Sequence, residues 1–254
     1  MTKATIFLSK FDHYKFNSLN YHTMKNKLIF PLLFAVMFLQ AQDNYMSLSF
    51  GTGTPLGDFV KNESLTDHGF AKVGFMADYS GAYYPIKYLG IGASVKFNQF
   101  IPDRNTILER LVEVLPPGAG DEVSEFKMGF WSDVSFGIGP QFTLPVSIFN
   151  IDVFAFPGLH IVAPPELKLT AEINDEPYFT RVTSQNVRFG FEVGASLRIN
   201  LGQTAGLRVF VSYLQTSSKG EIIGEDGGRA ESTQVDFSKT ISVLNTGVGL
   251  VYLL

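Results

Sequence analysis

The chain has 254 residues, 45% hydrophobic and 14% aromatic, with 24 Phe, 24 Gly and no Cys. From Asp43 onward it carries 15 Lys and Arg against 23 Asp and Glu, a formal net charge of −8, which speaks against nucleic-acid binding. The missing cysteines exclude disulfides, thiolate metal sites and lipid attachment at an N-terminal Cys. A mean hydropathy of +0.13 without a long apolar segment points to apolar residues dispersed at alternate positions.

In chain order, residues 1–23 contain Lys3, Lys10 and Lys15 and show no clear period. They are expected to be an upstream extension, with Met24 the initiator. Lys25 and Lys27 then precede Leu28–Leu39, twelve residues including Pro31, and Gln40-Ala41-Gln42 follows. That stretch is too short for a membrane-spanning helix. A basic start, a short apolar centre and a small or polar end predict a cleaved signal peptide over 24–42. The mature domain is therefore expected at 43–254.

Eight strands follow. The first is Tyr45–Gly53 and the second runs from Phe70 to about Tyr84, with Ala71, Val73, Phe75, Ala77 and Tyr79 opposing Lys72, Gly74, Met76 and Asp78. The third is Tyr88–Phe100, where Lys96 and Asn98 share a face with glycines. The fourth spans Phe126 to about Phe142, with Lys127, Trp131 and Asp133 on its polar face. The fifth, Ile151–Ala163, is the weakest, because Phe154 and Phe156 interrupt the polar side. The sixth, Val187–Asn200, puts Val187, Phe189, Phe191, Val193, Ala195, Leu197 and Ile199 on one face and Arg188, Glu192 and Arg198 on the other. The seventh is Gly206–Gln215, with Arg208 facing away from Leu207, Val209, Val211 and Tyr213. The eighth, Phe237–Leu254, ends with Val248, Leu250, Tyr252 and Leu254 on one face. Such period-two alternation over strands longer than the usual five or six residues fits a bilayer crossing, apolar outward and polar inward.

Long and short connections alternate strictly. The short ones are Pro85-Ile86-Lys87, Leu144–Asn150 and Leu201–Ala205. This predicts an all-β, antiparallel up-and-down transmembrane barrel with short periplasmic turns and long extracellular loops. The segments Glu166–Asn174 and Tyr178–Thr183 either form a hairpin above the membrane or add two strands, making ten. Eight strands leave an interior just filled by side chains. The expected lumen charge network is Lys72, Asp78, Lys96, Lys127, Asp133, Arg188, Glu192, Arg198 and Arg208, both signs being present because buried charges must be paired. Lumen glycines are expected to make room for these long side chains. Tyr83, Tyr84 and Tyr88 are placed in an interfacial aromatic girdle. Asp103–Leu115 predicts a loop helix capped by Asp103 or Asn105 and stopped by Pro116-Pro117, with Ile107, Leu108, Leu111, Val112 and Leu115 as its apolar stripe. That helix either folds over the barrel mouth or binds a partner.

No catalytic, cofactor or metal motif emerges. From Asp43 onward there are two histidines, His68 and His160. His160 has no nearby Ser in register and is expected as a rim or lumen residue, and His68 as a loop residue.

With its signal peptide, its alternating strands and the final Leu244-Asn-Thr-Gly-Val-Gly-Leu-Val-Tyr-Leu-Leu254, the chain resembles the small bacterial outer-membrane β-barrel proteins, a porin-like, eight-stranded superfamily. Its Phe/Tyr/Gly-rich style is similar to barrels of the Bacteroidetes type. The resemblance implies that Val248, Leu250, Tyr252 and Leu254 form the signal read by the barrel-assembly machinery, although the last residue is Leu and not Phe. It also implies a monomer in the outer membrane of a Gram-negative cell, in contact with lipid and lipopolysaccharide. The expected role is non-enzymatic, structural or interactive in the cell envelope (integrity, adhesion or secretion support), with an extracellular or periplasmic protein partner and no cofactor. The alternative is a narrow channel for small or apolar solutes.

Overall fold

The computed structural model describes residues 44–63, 67–114, 123–173, 176–182, 186–226 and 229–254. The expected extension and signal peptide, 1–42, and Leu115 lie outside them. The described strands are β1 (Tyr45–Leu56), β2 (Gly74–Ile86), β3 (Leu89–Phe100), β4 (Val123–Met128), β5 (Trp131–Val146), β6 (Phe149–Ala163), β7 (Leu167–Ile173), β8 (Glu176–Val182), β9 (Asn186–Asn200), β10 (Ala205–Asp226) and β11 (Arg229–Leu253), with one α-helix, α1 (Arg104–Val114).

Eight of these strands close on themselves in the order β11-β1-β2-β3-β5-β6-β9-β10, with β10 pairing back to β11. Every pairing is antiparallel. The stagger of the barrel can be read from the register. From Leu197 on β9 the ladder passes through Val209, Val248, Phe50, Ala77, Phe97, Val134 and Ile161. It returns to β9 at Val187, ten residues from its start. A shear of ten over eight strands requires a tilt of about 40°.

The outer surface is apolar because the outward parity is apolar on every barrel strand. Phe50, Phe75, Ile91, Ile138, Val153, Phe189, Val209 and Leu250 are all exposed, Phe189 at 72%. On β9 the outward set spans twelve residue steps, about 40 Å along the strand and about 30 Å once tilted, enough to cross a bilayer. Among the described residues no helix is long and apolar enough to do so. The fold is a closed, eight-stranded transmembrane barrel. Val248, Leu250, Tyr252 and Leu254 all lie on its outer face.

Several boundaries differ from the sequence expectation. The fourth strand is broken: β4 ends at Met128, the Gly129 N–H donates to the Glu166 carbonyl at 2.8 Å, and the wall strand β5 begins at Trp131. β4 instead pairs with β7. β7 and β8 form a hairpin that docks on the far half of β10 through β8, so it adds no strands to the closed wall. The long connection expected between the last two strands is itself ladder, running from Gln215↔Ser242 out to Asp226↔Arg229. Each added pair satisfies backbone groups that a loop would leave to water. The result is a raised sheet, β11-β10-β8-β7-β4, standing beyond the barrel.

Candidate functional site: the sealed lumen

Inward residues are set by the same parity that makes the outside apolar, and they stack in layers. At the end holding the short turns, Asp152 on β6 is fully buried. Its carboxylate accepts Arg198 Nε at 2.8 Å and Nη2 at 3.0 Å, with Thr143 Oγ1 at 2.6 Å and Ser196 Oγ at 2.8 Å. This is a bidentate, charge-assisted pair with its remaining lone pairs filled. The Arg198 guanidinium lies 3.9 Å from the centre of the Tyr45 ring, a cation–π contact. Gln141 Nε2 donates to the Tyr84 hydroxyl at 2.6 Å and to the Tyr45 hydroxyl at 2.9 Å. Tyr84 stands 2.6 Å from Thr143 Oγ1. Two buried tyrosines, an amide and an ion pair thus form a floor.

The middle layer holds two more buried ion pairs. Asp78 accepts Arg208 Nη1 at 3.0 Å and the hydroxyls of Ser80 and Ser94, both at 2.8 Å. Lys96 pairs with Glu192 and donates to Ser212 Oγ at 3.2 Å. Both cations face the Phe210 ring, Lys96 at 5.1 Å and Arg208 at 4.8 Å from its centre. Each charge has a partner of opposite sign, and Asp78, Lys96 and Arg208 make further hydrogen bonds to serine hydroxyls, the condition under which buried charges are tolerated. Higher up, His160 Nδ1 stands 3.1 Å from Asp133 Oδ1. Arg188, half-buried, donates to Asn186 Oδ1 at 3.2 Å.

Two residues of the expected network lie elsewhere. Lys72 precedes the start of β2, is 58% exposed and pairs with Asp103 at 3.0 Å. Lys127 belongs to β4, outside the closed wall, and is exposed. The lumen glycines also serve a different purpose from the one expected. A Cβ on Gly92 would lie 2.6 Å from the Phe156 ring, one on Gly194 2.7 Å from Phe154, and one on Gly90 2.7 Å from Tyr84. They make room for aromatic rings. Tyr84 is no girdle residue: it shares the parity of Asp78 and points inward, while Tyr83 is exposed. Asp152, the anchor of the floor, is absent from the expected network, though it shares the parity of His160.

The opposite mouth is closed by the chain itself. After β1, residues 57–63 and 67–71 fold back as a strap, with Gly69 N–H donating to the Asp58 carbonyl at 3.0 Å and Ala71 N–H to the Phe59 carbonyl at 3.0 Å. Phe59 is 1% exposed and meets Phe100 and Trp131 edge-on, at 5.2 Å and 86° and at 5.4 Å and 81°. Val162, Leu214, Ile241 and Val243 complete an apolar cap. Trp131 Nε1 donates to the Gly69 carbonyl at 2.9 Å and Lys239 Nζ to the His68 carbonyl at 2.6 Å, fastening the strap to β5 and β11.

Helix α1 is folded onto this external structure. Ile107 is buried and Leu108 half-buried; the side chains of Leu111 and Val112 lie outside the described set. Arg104 Nη2 donates to the Phe126 carbonyl at 2.5 Å and stacks on that ring at 5.2 Å. Burial would raise the Asp103 pKa, but its ion pair with Lys72 and hydrogen bonds from Thr106 outweigh it and hold the carboxyl below the usual range. Those bonds also make Asp103 the N-cap.

His160 has a serine in register after all, since Ser135 is its cross-strand neighbour. The imidazole is turned from it, with Nδ1 on Asp133 and the Cδ2–Nε2 edge against Gly190, where an added Cβ would lie within 2.7 Å. Among the described residues no group of His, Asp or Glu could hold a metal.

No family model matches the chain, and no curated relative matches its sequence. Solved structures match in fold. Neisserial surface protein A is 10% identical, covering 84% of this chain and 99% of that one at a TM-score of 0.36. A major outer membrane protein from Thermus thermophilus is 10% identical, covering 84% and 100% at 0.43. Ail, the attachment invasion locus protein of Yersinia pestis, is 9% identical, covering 82% and 97% at 0.39. The closure of the eight strands stands on the register alone.

Proposed function

We propose that this chain is a non-conducting, non-enzymatic outer-membrane barrel whose work is done by its external face, in a structural or interaction role in the cell envelope. The observation that carries this reading is a lumen filled at every level, from the Tyr45–Arg198–Asp152 floor through two ion pairs to the Phe59 cap. A pore needs a continuous wet path, and here aromatic rings occupy the inner positions opposite glycines. By contrast the chain spends much of its length beyond the barrel, in the strap, α1 and the raised sheet. Loops and raised strands on a rigid scaffold are where binding residues concentrate.

The barrel would be exported by the expected signal peptide, inserted through the terminal Val248–Leu254 pattern by the assembly machinery, and would work as a monomer in contact with lipopolysaccharide. A protein partner at the extracellular face fits the raised sheet better than a periplasmic one, because the opposite end offers little more than two-residue turns at Lys87-Tyr88 and Ser147-Ile148. The deciding experiment is planar-bilayer recording of the purified, heat-modifiable barrel. Silence under applied voltage is expected. Steady ohmic openings would replace this proposal with the narrow-channel alternative.

A further inference from the structure

Directly beneath the apolar cap lies a ring of polar side chains, each the next inward residue below a cap member on its own strand. Asn98 lies below Phe100 on β3, Asp133 below Trp131 on β5, and His160 below Val162 on β6. Ser212 lies below Leu214 on β10, and Asn245 below Val243 on β11. All five are buried, Asn98 and Asn245 completely. Three of them are satisfied: Asp133 faces His160, and Ser212 accepts from Lys96. The two asparagines are not. Asn245 has neither amide atom within reach of a protein partner, and Asn98 has no donor for its Oδ1, its Nδ2 reaching Asp133 only at 3.5 Å.

Both asparagines flank the Phe100 ring, Asn98 by sequence and Asn245 across Gly53. A Cβ on Gly53 would lie 2.8 Å from that ring and 3.1 Å from Asn245 Oδ1. Glycine there admits the Phe100 ring beside Asn245, so the ring covers the asparagine without offering it a hydrogen-bond partner. Leaving a buried carboxamide unpaired is costly, because its hydrogen bonds to water are lost and not replaced, and such groups in native proteins are answered by bound water or a ligand.

We infer that this ring is a binding site for small neutral molecules that both donate and accept hydrogen bonds, and that its resident is ordered water sealed in by the Phe59 strap. The chemistry selects the class. A bare cation would satisfy the two amide oxygens but not the Asn245 Nδ2 donor, and an anion would do the reverse. Water answers both. The conclusion holds whichever way the Asn245 amide is flipped, since both of its atoms lack partners. A closed site also accounts for the cap: its apolar rings separate this layer from bulk solvent, so its occupants exchange only when the strap lifts.

The test is nuclear magnetic resonance on the refolded, isotope-labelled barrel in detergent micelles, with water itself as the probe. Cross-relaxation between the Asn245 side-chain amide protons and long-lived water is expected in the wild type, and Phe59→Ala should shorten the water residence time. A wild-type spectrum without that cross-relaxation would overturn the site and needs no variant to fold. Independently, Asn245→Leu should lower the temperature of heat-modifiable unfolding, because the water left on Asn98 loses a partner. An Asn245→Leu barrel more stable than the wild type would show a dry site and refute the inference.

Discussion

The floor of the lumen makes the sharpest quantitative claim. Asp152 is wholly buried and accepts two bonds from Arg198, one from Thr143 and one from Ser196. Asp152→Ala removes the carboxylate and leaves a guanidinium 1% exposed with only the Tyr45 ring and a long 3.5 Å contact to the Tyr84 hydroxyl. Breaking a buried pair from one side costs about 3–5 kcal/mol, chiefly the penalty of an uncompensated buried charge. The two hydroxyls can rotate to new acceptors and add little. Removing both charges is another matter. In Asp152→Leu/Arg198→Met the desolvation penalty disappears, and replacement of buried pairs by apolar groups of similar volume is commonly neutral or stabilising. Urea titration of the detergent-refolded barrel, with the folded fraction read from unheated gels, measures both variants. The single variant should lose about 3–5 kcal/mol and the double should recover most of it. A single variant within about 1 kcal/mol of wild type, or a double no better than the single, would refute the claim that the floor is a desolvated ion pair.

Other outcomes follow from the same geometry. Gly92→Ala puts a methyl 2.6 Å from Phe156 and 2.8 Å from Gln141 Oε1 and should cost about 1–3 kcal/mol by overpacking, whereas Gly202→Ala, with nothing within 4 Å, should be silent in the same titration. Phe59→Ala removes a ring with two edge-on partners and should weaken strap docking by about 3–5 kcal/mol; trypsin cleavage after Lys61 and Lys72 should accelerate while the barrel's own unfolding midpoint stays put. Asp103→Asn should cost less than about 1 kcal/mol, since Lys72 is more than half exposed and such pairs are screened. Because the Asp103 carboxyl is held below its ordinary range, its contribution exists above the unfolded-state pKa and is lost as pH falls through the folded one. The wild-type advantage should therefore vanish in acid, and a difference that persists there would contradict the assignment.

The barrel is legible in the sequence because its solvent is lipid on one side and a packed lumen on the other. Alternate residues must then differ in kind, and β9 states this over fourteen positions from Val187 to Asn200. Parity likewise locates Asp78, Lys96, Asp133, Glu192, Arg198 and Arg208. It fails at ends, where strands leave the membrane and alternation no longer has a solvent to answer to. Lys72 and Lys127 carry the right parity but lie beyond the wall, and neither the strand break at Gly129 nor the outward run of β10 and β11 has a periodic signature.

The floor is less legible for a different reason. Phe154 and Phe156 make β6 look like a poor strand, and Asp152 is hidden with them. Yet all three are inward residues of one strand, and rings are what an inner wall lined by Gly92, Gly137 and Gly194 demands, since a glycine on one strand is filled from another: Gly137 and Gly194 from the adjacent β6, Gly92 from β6 across β5. The pairing of large with small across neighbouring strands depends on register, and register is fixed by closure of the whole barrel, not by any local run of residues. A lumen can thus be recognised strand by strand, but which charge meets which, and which asparagine is left without a partner, is decided only when the eighth strand meets the first.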